Sequence, residues 1–155
     1  MRLDKLALTS QEALQTAIGI ASDAKSAQVG PEHLLSALLE SGESNLNSII
    51  ERIGADPASL KQSIDARIAA GPKSTGNIMN MGFDNNLGIV LDEAVKKAGE
   101  MGDSYATTEH LLIALANDKG SAGAVLNTAG ITGKRVEQVY EELRGDTRVT
   151  DMTEK

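Results

Sequence analysis

Pro31-Glu32-His33-Leu34-Leu35-Ser36-Ala37-Leu38 returns as Thr108-Glu109-His110-Leu111-Leu112-Ile113-Ala114-Leu115, at an offset of 77 (110 − 33). The recurrence spreads outward from this octet. Leu14, Ala17, Ile18 and Ala21 fall on Leu91, Ala94, Val95 and Ala98 at the same offset. Gly54 falls on Gly130 with the register slipped by one, so a residue has been lost around the position of Gly42. A repeat about half the chain long predicts one helical unit duplicated. Two copies are too few for an open solenoid and suit a compact pair sharing one core.

Helical period dominates each copy. Thr9 or Ser10 is placed to cap a first helix, and Thr9 with Glu12 forms a capping box. Leu14, Ala17, Ile18 and Ala21 then make a stripe at i, i+3, i+4, i+7, the mark of one buried helix face. Gly30-Pro31 opens a second helix with Pro at N1. Its apolar residues from Leu34 to Leu39 are too dense for an exposed helix, which predicts a central position. Ser41-Gly42 ends it. A short third helix carries Leu46, Ile49, Ile50 and Ile53 and stops at Gly54. Asp56-Pro57 starts a fourth through Leu60, Ile64 and Ile68.

The run Ala70-Gly71-Pro72-Lys73-Ser74-Thr75-Gly76-Asn77 is small and polar without a period, and reads as a linker. The second copy repeats the plan over about 85–101, with a turn at Gly102-Asp103. A helix capped by Thr107 follows, then a short one around 122–129 and a last one over about 134–143. Gly88 and Gly99 fall inside a helical pattern, where each costs about 1 kcal/mol relative to Ala; close helix approach is the expected reason. The predicted fold is all-α, with eight helices in two pseudo-twofold repeats of four and no sheet. Repeat one covers 1–70, the linker 71–84 and repeat two 85–145. The polar tail 146–155 has no evident apolar partner and reads as the start of a flexible tether.

Composition limits the chemistry. The chain has 155 residues, one domain's worth, of which 41% are hydrophobic. With one Phe, two Tyr and no Trp, the core must be aliphatic. There is no cysteine, which excludes disulfides, thiol nucleophiles and thiolate metal sites. The opening Met1-Arg2-Leu3-Asp4-Lys5 is charged and no membrane-length apolar run follows, which argues against a signal peptide and a spanning helix. Fifteen basic residues against 22 acidic ones give a net charge of −7, and the basic residues are scattered. That argues against a nucleic-acid footprint.

The two Glu-His pairs are acid–base residues in equivalent places, so a metal or general-base site deserves weighing. A helical zinc site needs ligands at i, i+4 with more nearby, whereas here Glu and His are adjacent and the chain has no other His. The first turn of a helix offers free N–H groups and a positive dipole end, so a capping or packing role is the better reading. The segment 71–82 lacks the Gly-Lys-Ser/Thr ending of a phosphate loop, and no Ser-containing stretch resembles a nucleophile elbow. Ile78-Met79-Asn80-Met81-Gly82-Phe83 is the most apolar loop, with Ile78 and Phe83 expected to pin it across the halves. Leu3, Leu6 and Leu8 either lid the core or line a groove. No catalytic site is indicated.

With the duplication in view, the sequence resembles the N-terminal domain of the Clp AAA+ unfoldases. The doubled Pro/Thr-Glu-His-Leu-Leu-x-Ala-Leu is the family's mark, and the likeness runs through about Thr150. The opening Met1-Arg2-Leu3-Asp4-Lys5-Leu6 and the closing Leu143-Arg144-Gly145 with Arg148-Val149-Thr150-Asp151 are similar to the ends of this domain in the ClpB branch, the disaggregases. The ClpC branch, with Glu-His-Leu-Leu in both halves, is the second resemblance.

The ClpB resemblance implies a mobile, non-enzymatic module tethered to a homohexameric ATPase ring. It implies no cofactor in the domain itself, ATP and magnesium being held by the ring. The implied partners are unfolded or aggregated polypeptide and, through the full-length protein, an Hsp70-type chaperone system, with neither nucleic acid nor membrane; the implied location is the cytoplasm. The implied substrate site has Leu91 in an apolar groove and Asp103 and Glu109 at its rim. His110 and Glu93 stand where an apolar residue can line that groove, and Ala7 where relatives often have Thr, which makes the expected groove more polar. The ClpC resemblance implies an alternative, capture of adaptors or phosphoarginine-marked substrates for a protease, with Glu32 and Glu109 matching in type.

Overall fold

The computed structural model describes residues 3–74 and 82–153. Eight α-helices follow one another among them: α1 Leu8–Asp23, α2 Pro31–Glu40, α3 Ser44–Ile53, α4 Pro57–Ala70, α5 Asn85–Glu100, α6 Thr108–Ala116, α7 Ser121–Thr128 and α8 Gly133–Arg144. The all-helical reading holds. A 3-10 turn at Leu3–Lys5 precedes α1, and β1 Gln28–Val29 pairs in parallel with β2 Gly82–Phe83. That short pairing corrects the expectation of no sheet. The Met-bearing linker residues 75–81 lie outside the described residues.

The pairing is what joins the halves. Val29 faces Phe83, and Leu6 forms a parallel bridge with Ala106. Leu6 and Phe83 are equivalent positions, as are Val29 and Ala106, so one pairing has been made twice. The Ala7 N–H donates to the Ala106 carbonyl at 2.9 Å, and the Asp84 N–H to the Val29 carbonyl at 2.9 Å. Each copy's entry segment therefore lies on the other copy's strand.

This reciprocity also corrects the start of α1. Its N-cap is Ala7, without a side-chain cap, and Thr9 and Ser10 lie in its first turn rather than before it. The Ser10 hydroxyl donates across the interface to the Ala106 carbonyl at 2.8 Å. Contacts from the other copy decide where this helix begins, and they override the local capping signal.

The long helix of each copy ends in the same way. Lys25 (φ 58) and Gly102 (φ 83) take the left-handed conformation at equivalent positions. The Ser26 N–H then reaches the Ala21 carbonyl at 3.0 Å and the Asp103 N–H the Ala98 carbonyl at 2.8 Å, the 6→1 bond of a Schellman cap. Gly54 (φ 103) and Gly130 (φ 85) repeat the device after α3 and α7.

Every residue of α6 is buried, and α2 buries all but Glu32, Leu39 and Glu40. Both central helices thus contribute Leu and Ala to one continuous core. Around them α3 packs on α8 and α4 on α7, again as reciprocal contacts between copies. Gly88 and Gly99 do not mark close helix approach: a Cβ at either would meet nothing within 4 Å. The tail also departs from expectation. Val149 is buried, and the Leu8 N–H donates to the Met152 carbonyl at 2.8 Å, so residues 147–152 lie on the domain rather than free of it.

Candidate functional site

None of the four residues expected at a substrate site offers its side chain to solvent. Leu91 is 2% exposed and sits on the core-facing stripe of α5 with Leu87, Val90 and Ala94. Its place as a groove contact is withdrawn, because a side chain already packed on all sides has no surface to share. Asp103, Glu109 and His110 are buried as well. They are not the rim of a groove but members of one internal polar cluster, and that corrects their assignment as direct contacts.

The cluster grows from the first turn of α6. The Thr107 N–H donates to His110 Nδ1 at 2.8 Å, so the histidine fills the N3 place usually held by Glu or Gln in a capping box. A peptide N–H can only donate, so Nδ1 is the acceptor and the ring proton sits on Nε2. From there it is donated to Asp103 Oδ2 at 2.9 Å. Asp103 Oδ1 accepts from Arg144 at 2.8 Å and from the Val149 N–H at 2.8 Å. Arg144 also lies over the Tyr140 ring, 4.4 Å from its centroid, and that ring meets His110 edge-on at 5.6 Å.

Charge states follow from these contacts. Burial pushes the Asp103 carboxyl up, but the bonds from Arg144 and Val149 outweigh it and hold the group below its ordinary range. Burial lowers the His110 pKa against the opposing pull of Asp103, so the ring is held neutral. Glu109 is raised, first by burial; the Thr107 hydroxyl opposes this and nearby Glu43 adds to it. Asp103 and His110 could be mistaken for a catalytic dyad. Both side chains are 0% exposed, and both histidine nitrogens are engaged within the fold, so no face is open for proton transfer to a substrate.

The first copy solves the same problem without charge. The Gly30 N–H donates to His33 Nδ1 at 2.9 Å, and His33 Nε2 meets the Ser26 hydroxyl at 3.1 Å. Ser26 is the counterpart of Asp103, and Ile68, one register step on, that of Arg144. Acid and base therefore occur together in one copy, and Ser and Ile together in the other. Aligning the two copies over α4 and α8 would have shown the linked exchange, but Arg144 and Tyr140 are invisible to a reading confined to the Glu-His motif.

Two equivalent clefts flank the central helices. In copy two, a cleft of about 310 Å³ is lined by Glu93, Lys96, Lys97, Glu100, Ile113, Ala114 and Asn117. Lys97, raised in pKa chiefly by its bond to Glu137, bridges to that residue at 3.0 Å and to Glu100 at 3.2 Å. In copy one, the counterpart, about 360 Å³, holds Ile20 in place of Lys97, with Ala24, Ile68 and Ala69 beside it. Asp23, Lys61, Asp65 and Lys73 edge it. Sequence reading missed this cleft, although the Ile20/Lys97 difference lies within the repeat. The two motif glutamates also differ: Glu32 is half-buried and Glu109 is 4% exposed, so they do not present matching carboxylates. Among the described residues no group of three His, Asp or Glu side chains is placed to hold a metal ion.

A duplicated all-helical pair, interlocked through its entry strands and capped by paired histidines, defines the class of helical repeat domain to which the comparisons then give a name. The Clp repeat (R) N-terminal domain matches residues 5–146, and the chain belongs to that family. Chaperone protein ClpB of Corynebacterium diphtheriae is 36% identical over 142 residues, 91% of this chain and 17% of that protein. The chain thus spans about a sixth of the length of such relatives. The Hsp104 N-terminal domain from Candida albicans shares the fold with a TM-score of 0.83 at 21% identity, covering 96% of this chain and 97% of that one. A ClpV N-domain in complex with a VipB peptide shares it with a TM-score of 0.64 at 17% identity, covering 89% and 86% of the respective chains.

Proposed function

We propose that this domain engages unfolded or aggregated polypeptide for a ClpB-type disaggregase, and that the apolar cleft of its first copy receives the client. The observation that carries this reading is the contrast between the two clefts. Where copy two closes the gap between α5 and α8 with the Lys97–Glu137 bridge, copy one has Ile20 at the place of Lys97. Its own network, Lys61 and Ser36 on Asp65, joins α4 to α2 and leaves Ile20, Ala24 and Ala69 without an ionic bridge between α1 and α4. Such a floor holds apolar stretches by area, at about 25 cal/mol per Å² buried, less the cost of ordering a flexible client. Affinity in the micromolar range follows, and a weak hold suits a domain that must hand its client on. The fold likeness to a ClpV N-domain that holds a VipB peptide supports peptide engagement in general.

In this reading a homohexameric AAA+ ring lies beyond the tether, holds ATP and magnesium, and draws the client into its pore. Cooperation with an Hsp70-type system and a cytoplasmic setting belong to the same proposal. The unlike surroundings of Glu32 and Glu109 favour it over phosphoarginine capture of the ClpC type. The test is binding of a permanently unfolded polypeptide by the 155-residue chain. Ala69→Glu should weaken binding at least tenfold with little change in thermal midpoint, since Ala69 is exposed. Ile20→Asp should weaken it as much but lower the midpoint too, since Ile20 is partly buried against the core. Lys97→Leu should strengthen it. Undiminished binding by both first-copy variants would refute the cleft as the client site.

A further inference from the structure

The tail crosses the surface from the end of α8 to the beginning of α1, and specific contacts fasten it there. Val149 is its buried side chain. The Val149 N–H donates to Asp103 Oδ1 at 2.8 Å, and the Val149 carbonyl accepts from the Ser104 N–H at 2.7 Å. Three residues on, the Met152 carbonyl accepts from the Leu8 N–H at 2.8 Å, and Gln11 Nε2 reaches the Met152 sulfur at 3.6 Å. Arg148 adds an ion pair with Glu141 at 3.5 Å. The Leu8 bond matters because the first N–H groups of a helix lack intrahelical partners, and α1 has no side-chain cap. The tail supplies what the missing cap does not.

Asp103 faces both ways. Its Oδ2 meets His110, and its Oδ1 is shared between Arg144 and the tail. If the tail left, the carboxylate would keep a cationic partner and its histidine, so departure strands no buried charge. The Leu8 and Ser104 N–H groups would turn to water. Of the other fastenings, the Arg148–Glu141 pair and the Gln11–Met152 contact lie at the surface, and Val149 is the buried side chain, small beside the core it rests on.

We propose that residues 147–152 form a releasable strap, fastened when closed to Asp103 and to the first turn of α1, and lengthening the domain's tether when open without disturbing the buried cluster. Six extended residues add roughly 20 Å of reach. The use of that reach rests on the reading that a ring follows the tether; the strap itself does not. Closed, it holds the outgoing chain beside the N-terminus of copy one, and open, it lets the chain leave from Gly145.

Hydrogen exchange on the 155-residue chain tests this without any client. In the wild type the amides of Leu8, Ser104 and Val149 should be protected together. Val149→Asp places a carboxylate against Asp103, and should speed exchange at Leu8 and Ser104 more than tenfold while the amides of Leu111–Leu115 stay unchanged. Val149→Gly keeps the N–H and removes the anchor, and should give the same pattern more weakly. Free exchange at Leu8 and Ser104 in the wild type would overturn the proposal, since the strap would not be closed. Equal acceleration throughout α6 in both variants would overturn it as well, because Val149 would then belong to the cooperative body. Neither result depends on whether polypeptide binds the first-copy cleft.

Discussion

His33 and His110 each accept a peptide N–H on Nδ1 and are held neutral by burial, which lowers both pKa values below 6.5. The unfolded chain takes up those protons first, so the stabilisation is full above pH 6.5 and declines as pH falls below it. The thermal midpoint should drop between pH 7 and pH 5. Because Gln can fill the same N3 place, the double variant His33→Gln/His110→Gln should flatten that slope; an unaltered slope would assign it to other groups. Asp103→Ala should cost about 3 kcal/mol in urea unfolding, since it removes the buried acceptor shared by Arg144, His110 and the Val149 N–H, while Arg144 keeps its pair with Glu141 at 3.1 Å. Asp103→Ser combined with Arg144→Ile installs the first copy's arrangement and should recover most of the loss. Leu91→Ala should cost about 2–5 kcal/mol, as expected for a packed core leucine. A cost below about 1 kcal/mol would return it to the surface. The Glu-His motif was legible as a first-turn capping or packing feature, without showing which of its two side chains caps. The histidine does so, because at N3 its ring reaches back to the N-cap N–H.

The helices themselves were readable because their apolar spacing and their stop signals agree. Pro31 and Pro57 stand at N1, and Gly54 and Gly130 adopt the positive φ that a left-handed cap requires. Where a helix boundary depends on another element, the local signal fails. Thr9 and Glu12 advertise a cap, yet α1 begins at Leu8 because residues 6–8 are tied to Ala106 and Met152. Lys25 hides the turn that Gly102 advertises at the equivalent position, since a non-glycine residue in the left-handed region carries no sequence mark. Gly88 and Gly99 have open space around an added Cβ and ordinary helical φ. Gly88→Ala and Gly99→Ala should therefore each stabilise the protein by about 0.4–1 kcal/mol, read as a rise in the urea midpoint. A loss at either would reveal a contact that helix α5 makes outside this domain's own packing.

The two copies do not fold as neighbours joined by a linker; each completes the other. Val29 needs Phe83, Ala106 needs Leu6, and α3 and α4 bury their apolar faces against α8 and α7. A fragment ending at residue 74 should accordingly show no cooperative unfolding transition by circular dichroism, and should gain one on mixing with 75–155. An autonomous transition in the first fragment would contradict the interlock. The 155-residue chain should run as a monomer in light scattering, because the apolar stripes of its helices meet in one core and the large hydrophobics left exposed among the described residues, Leu3, Leu8, Ile89 and Leu143, are few; a stable hexamer would contradict that. The duplication, the eight helices, the aliphatic core and the family are written in the chain, because period and repetition are properties of residue order. Which charged side chains are buried together, which of two equivalent clefts is bridged and where the tail comes to rest were settled by the tertiary structure. Asp103 lies 41 residues from Arg144 and 46 from Val149 along the chain, and the interaction that joins them exists only once packing has excluded water from the place where they meet.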